Sequence, residues 1–321
     1  MAAAKVGLQA LLVLGLSGLA LAEKPPSPWA TVKTPAPGTP RAIGDYSGGC
    51  VQGAQELPLD GPGFQTMHPS RVRHFGHPDL LAFITALGAQ VKAAGLAPVM
   101  VGDLSQPRGG RASGGHASHQ TGLDVDLWFW LPDAAQRRTL SETERETIKA
   151  RSILDGKTQS MQSKWAERVA KLLRLTADDR RVERVFVHPI IKRELCANAG
   201  ADRAWLSKIR PWYGHDDHMH VRLACPAGSP DCLPQAKIAA GDGCGEELDW
   251  WFSPEASADR DKERKRYREK VVRGPQVPQL CLALLDDKTA PTKGKEAVKT
   301  EATAQAEPPA AAPATPVLTQ Q

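Results

Sequence analysis

The sequence predicts an α+β fold: a small antiparallel sheet with helices on one face and polar groups gathered on the other. Three observations predict it. Two stretches, 79–95 and 164–175, repeat apolar residues at the three- and four-residue spacing of an amphipathic helix. Several short runs between and after them read as strands instead. Two of these runs, LDVDLW from Leu123 and HMHVRL from His218, alternate polar and apolar residues. Side chains alternate faces along a strand, so each run offers one face to a core and the other to polar chemistry.

The elements follow in chain order. Lys5 precedes an apolar run that ends in Ala20-Leu21-Ala22. That is the pattern of a secretory signal cut after Ala22, so residues 1–22 are expected to be a signal peptide. No later segment is apolar enough to span a bilayer, and the mature chain is expected to carry no membrane anchor. Residues 23–48 are rich in Pro, Thr and Gly and read as an extended lead-in to a single domain over 23–285. Leu80, Phe83, Ile84, Leu87 and Val91 share one helical face, and Gly95 is placed to stop that helix. LAPVMVGDL from Leu96 reads as a strand, and SQPRGGRASGG from Ser105 as a glycine-rich loop.

Ser141 and Glu144 make a capping box that starts a helix. LDGKTQ from Leu154 is a turn. Trp165, Val169, Leu172 and Leu173 share a second helical face. VERVFVHPII from Val182 and DHMHVRLAC from Asp217 read as strands. The mixed charge run ADRDKERKRYREK from Ala258 reads as a solvated helix or linker. Residues 286–321 lack aromatics and are rich in Ala, Pro and Thr, too little apolar surface to offset ordering, so a disordered tail is expected.

The net charge of +5 suits work near an anionic polymer such as a cell wall. No basic stripe interleaves with aromatics, which argues against a nucleic-acid partner. All six cysteines lie beyond the leader. In an exported chain an even count points to three disulfides. Spacing does not choose among the fifteen pairings that six cysteines allow.

Five of the nine histidines fall in two clusters, GGHASHQTGLDVD and HDDHMH. In the second, His218 and His220 share a strand face with Arg222, while Met219, Val221 and Leu223 turn to the core. In the first, Asp124, Asp126 and Trp128 share a face, and a turn at Gly122 folds His119 back beside Asp126. His119, Asp126 and His220 then supply two imidazoles and one carboxylate. That set suits zinc with a fourth position open to water, the arrangement of a hydrolytic site in which the ion acidifies water and polarises a carbonyl. Asp124 is expected to hold a turn or orient a ligand histidine. His68, His74, His77 and His188 read as surface or hydrogen-bonding residues. H-E-x-x-H, G-x-S-x-G, S-x-x-K and a lysine-bearing phosphate loop are all missing from the mature sequence, which argues against helical zincins, serine hydrolases and nucleotide binders.

His119-x6-Asp126 followed by His218-x-His220 resembles the LAS-type zinc peptidases, the group of lysostaphin, D-Ala-D-Ala peptidases and hedgehog proteins. FGHPDL, GGHASHQTGLDVD, RPW, HMHVRL and GDGCG resemble more narrowly the penicillin-insensitive murein endopeptidases, over roughly residues 28–285. The resemblance implies a hedgehog-like fold, a periplasmic location, and hydrolysis of the D-alanyl–meso-diaminopimelyl cross-link of peptidoglycan without sensitivity to beta-lactams. It implies zinc on His119, Asp126 and His220, with His218 as general base or oxyanion partner and His215 also required. It implies disulfides Cys50–Cys281, Cys196–Cys244 and Cys225–Cys232.

Relatives of this kind can hold a second metal on the positions of His116 and Asp155 plus a histidine that is Thr158 here. A hydroxyl is a poor zinc ligand, so one ion is expected. Arg111 and Arg222 are candidates to receive substrate carboxylates. The alternatives are a LAS-type D-Ala-D-Ala carboxypeptidase or dipeptidase, and a non-catalytic zinc-holding wall-binding protein.

Overall fold

A computed structural model describes residues 27–114, 116–259, 261, 262, 265 and 277–287. The expected leader at 1–22, the expected tail beyond residue 287 and most of the charge run at 258–270 lie outside the described residues.

The stretch expected as an extended lead-in holds more structure than its composition suggests. A short helix, Pro28–Thr31, buries Trp29. A hairpin follows, β1 (Arg41–Asp45) against β2 (Gly48–Gln52). Trp29 packs on Ile43 of β1 and on Cys50 and Cys281, a contact between distant segments that composition does not encode.

Seven strands make the main sheet: β3 (Asp60–Gly61), β4 (Phe64–Thr66), β5 (Val99–Val101), β6 (Asp124–Trp128), β7 (Val182–Val187), β8 (Ile209–Pro211) and β9 (His218–Leu223). Their order is β8-β7-β9-β6-β5-β4-β3. The expected small antiparallel sheet is thus corrected to a larger, mixed one. Parallel pairs form between β4 and β5 and between β7 and β8. Helix α1 (Pro78–Ala93) lies between the first two in sequence. Helix α3 (Pro189–Asn198) lies between the second two. A helical crossover is what lets neighbouring strands run parallel. The centre is antiparallel: β9 pairs with β7 and with β6, placing His220 opposite Asp126 and Arg222 opposite Asp124.

One face of this centre is the core. Met219, Val221 and Leu223 of β9 pack with Val125 and Leu127 of β6 in a single buried cluster. Phe83 and Leu87 of α1 join it, as do Leu172 and Leu173 of α2 (Ser163–Asp178) and Ile191 of α3. The helical periodicities therefore point where the sequence placed them. The capping box is present, with Ser141 and Glu144 exchanging both hydrogen bonds. VERVFVHPII is divided, because Pro189 has the fixed φ of a first helical residue and opens α3. His188 caps that helix, its ring nitrogen accepting from the Ile190 amide at 3.2 Å. His77 caps α1 in the same way.

The three disulfides are Cys50–Cys281, Cys196–Cys244 and Cys225–Cys232, the pairing that the resemblance implied. The first closes 231 residues and ties helix α4 (Gln279–Asp286) to β2. Arg108 reinforces the tie by donating to the Leu284 and Asp287 carbonyls.

Candidate metal centre

The polar face of β6 and β9 carries the site. Gly122 turns the preceding loop at φ +72°, and a Cβ there would meet the His77 nitrogen at 3.0 Å. The turn brings back His119, itself at φ +66°. That conformation costs a side-chain-bearing residue about 1 kcal/mol or more. The His119 amide donates to Asp124 Oδ2 at 3.0 Å, which holds the loop in place.

Asp126 is the focus. Its Oδ1 lies 3.2 Å from His220 Nδ1, 3.4 Å from His119 Nε2 and 3.6 Å from His218 Nε2. Its Oδ2 lies 3.5 Å from His116 Nδ1. The His119 and His220 ring centroids are 4.6 Å apart, edge to face. Among the described residues, the group whose ligand atoms all lie within 4.8 Å of one another is His116, His119 and Asp126.

Three of the four histidines are held from behind by a carboxylate. Asp103 Oδ2 accepts from His116 Nε2 at 2.9 Å, Asp124 Oδ1 from His220 Nε2 at 3.1 Å, and Asp217 Oδ1 from His218 Nδ1 at 2.5 Å. These partners set the tautomers, as carboxylates behind metal-binding histidines do. His220 and His116 then turn lone pairs toward the Asp126 carboxylate. Both His119 nitrogens and Asp126 Oδ1 are buried without a hydrogen-bond partner. Each such atom costs about 1–3 kcal/mol. A cation among them would relieve that cost, so the residues fit a metal.

The electrostatics follow from the same contacts. Burial opposes charge on Asp126, but His119, His218 and His116 hold its carboxyl well below the usual range. Burial likewise opposes ionisation of Asp103, and His116, Arg73 and Arg71 outweigh it. For Asp124, Arg222 and His220 do the same. Burial pushes against an imidazolium at His218, yet Asp126 and Asp217 raise it to about 9. Burial, with His218 and His220 nearby, lowers His215 to about 3. The His215 ring lies 5.1 Å from that of His218, and its Nδ1 donates to the Tyr213 carbonyl at 3.2 Å.

His116, His119, Asp126, His218, His220 and, beside them, His215 are thus brought together. Asp155 is not. Its carboxylate accepts from the Lys157 and Thr158 amides of its own turn, and it joins no three-residue ligand group among the described residues. Arg222 is buried, donating to Asp124 Oδ1 at 2.6 Å and stacked 3.8 Å from the Tyr46 ring. It lines a cavity of about 220 Å³ with His215, His220, Phe186 and Trp212. Arg111 is half-buried in the glycine-rich loop and is not among the residues lining that cavity. Sequence reasoning missed Asp103 and Asp217. Asp217 adjoins His218, a signal that was available; Asp103 reaches His116 only through the fold.

A sequence model of the penicillin-insensitive murein endopeptidases matches residues 42–286. The chain belongs to that family. It is a peptidase of a peptidoglycan-hydrolysing family. It is similar to the penicillin-insensitive murein endopeptidase of Klebsiella pneumoniae, 45% identical over 278 residues, which covers 87% of this chain and 97% of that protein. The murein endopeptidase of Yersinia enterocolitica is 46% identical over 264 residues, or 81% and 91% of the two chains. That of Escherichia coli K12 is 43% identical over 278 residues, or 87% and 97%. The matched region contains every histidine and carboxylate of the centre.

Proposed function

We propose that this peptidase hydrolyses the D-alanyl–meso-diaminopimelyl cross-link of murein, using one zinc ion held by His119, Asp126 and His220. The observation that carries the reading is the convergence of three imidazoles on Asp126 Oδ1, with both His119 nitrogens unpartnered. The site's own carboxylates support His220 over His116 as the third ligand. His220 aims Nδ1 at the same oxygen that His119 approaches, whereas His116 approaches the other. Two imidazoles and a carboxylate are a zinc set.

Zinc bound there supplies Lewis-acid activation of the scissile carbonyl and of water. His218, oriented by Asp217, acts as general base or as the charged partner of the developing oxyanion. His215, kept neutral by burial, works beside it. Arg222 lines the cavity and is the better placed of the two arginines for a substrate carboxylate; Arg111 lies outside that lining. Water adds across one amide: the carbonyl carbon gains hydroxyl and becomes the D-alanine carboxylate, and the diaminopimelyl nitrogen gains a proton. No serine is acylated, so beta-lactams leave the reaction untouched. Asp155, held by its own turn, supports a single ion. Three disulfides support work in an oxidising compartment, the periplasm, reached with residues 1–22 as export signal.

The test is to incubate oxidised, mature protein with cross-linked murein, with and without a chelator, and to identify products by mass. Conversion of dimeric to monomeric muropeptides, lost on chelation, is expected. Preference for soluble D-Ala-D-Ala would replace this reading with a carboxypeptidase or dipeptidase. Binding to sacculi with no released peptide would replace it with a wall-binding protein.

A further inference from the structure

The cavity beside His215 and His220 adjoins another. Arg184, Phe186 and Trp212 line both, and the second, of about 400 Å³, is also lined by Trp250 and Trp251. Aromatic rings run without a break from the metal centre to this wall. Phe186 lies 5.5 Å from His220 and 6.1 Å from Trp212, Trp212 lies 5.8 Å from Trp251, and Trp251 lies 5.3 Å from Trp250. Trp212 is 48% exposed and Trp250 41%. Indoles left this open, next to a catalytic cavity and rimmed by charge, mark a binding surface.

The surface is tied to the rest of the domain. The Tyr213 hydroxyl donates to the Trp251 carbonyl, and the Cys196–Cys244 disulfide anchors the chain just before the wall. Its rim is polar: Arg210 pairs with Glu247, and Arg184, whose Nη2 donates to the Ala236 carbonyl, lines both cavities.

What fits such a groove follows from the chemistry of murein, and so rests on the function proposed above. The stem peptide offers methyl groups, amides and carboxylates, none of them a broad apolar plane. A pyranose ring offers a flat face of C–H bonds with hydroxyl and acetamido groups around its edge. That face matches an indole, and that edge matches a rim of charged donors and acceptors. We propose that the groove walled by Trp212, Trp250 and Trp251 binds amino-sugar units of the glycan strand, so that the peptidase recognises cross-linked peptide still attached to its glycan.

The test compares two cross-linked dimers, one carrying its disaccharides and one stripped of them by an amidase. The zinc-loaded protein is expected to favour the disaccharide-bearing dimer in kcat/KM by at least about threefold. Trp250→Ala is expected to bring the ratio near one, and Trp250→Tyr to restore part of it. A ratio near one in the unmodified protein, or one that survives Trp250→Ala, overturns the proposal. In parallel, the peptide-free disaccharide of N-acetylglucosamine and N-acetylmuramic acid is titrated against tryptophan fluorescence. A saturable change lost in Trp250→Ala supports the groove, and no change through the millimolar range overturns it. If the disaccharide binds but neither dimer is cut, the groove stands and the peptidase reading falls.

Discussion

Lys192 and Asp126 are both charged side chains taken out of water, and the fold treats them in opposite ways. Lys192 is fully buried in α3, and its Nζ donates to the Leu206 and Asp242 carbonyls at 2.7 and 2.6 Å. Asp126 is 4% exposed, and its Oδ1 sits among three imidazole nitrogens with no hydrogen bond. The lysine is provided for by its own chain, joining α3 to the segment before β8 and to the loop at Asp242. The aspartate has only imidazoles around it, at 3.2 to 3.6 Å, and its Oδ1 takes no hydrogen bond from any described residue. A buried polar group with partners holds a fold together, whereas a buried cluster aimed at one point without partners is built to bind.

The largest effect expected is on the binding side. Asp126→Ala should lose its metal and at least about a thousandfold in turnover, several kcal/mol of transition-state stabilisation, while near-ultraviolet circular dichroism stays native. Elemental analysis and dimer cleavage read both, and activity within tenfold of the parent would break the comparison. His218→Ala should come next, keeping its metal but losing at least about a hundredfold in turnover as an acid–base group is removed. Near-normal turnover would sink the role given to His218.

On the structural side, Lys192→Met should lower stability by about 1–3 kcal/mol, since it strands the buried Leu206 carbonyl at about that cost, while the part-buried Asp242 carbonyl can turn to water. Urea unfolding measures this, and turnover at low temperature should hold.

The last effect is a pH slope. Burial, with Arg210 nearby, pushes the Lys192 ammonium from 10.5 down to about 7. Between those values the unfolded chain holds the proton and the folded chain does not. The Lys192 contribution to stability therefore rises with pH across that window and is lowest below it. Subtracting the Lys192→Met profile from the parent's should isolate that rise. A flat difference between pH 7 and 9 would show the ammonium to be fully satisfied by its two carbonyls.

Much of the centre was legible because alternation is a local property. Once Asp124–Trp128 and His218–Leu223 are strands, the shared face of Asp124 with Asp126, and of His218 with His220 and Arg222, follows from backbone geometry alone. Other features were not local. Asp103 comes to His116 from the loop after β5. Arg222 is taken up by Asp124 across the sheet and by Tyr46 from the β1–β2 turn. The disulfide pairing came from family resemblance, since spacing is silent on it.

By itself the sequence determined the helical faces, the caps at Ser141 and Glu144, and the polar side of each central strand, all properties of a few consecutive residues. Only the tertiary structure decided that β6 and β9 are neighbours in a register that sets His220 against Asp126, and that the sheet is mixed. Strand partners are chosen by how helices α1, α2 and α3 cover a common core, and that choice is made by packing across the whole domain.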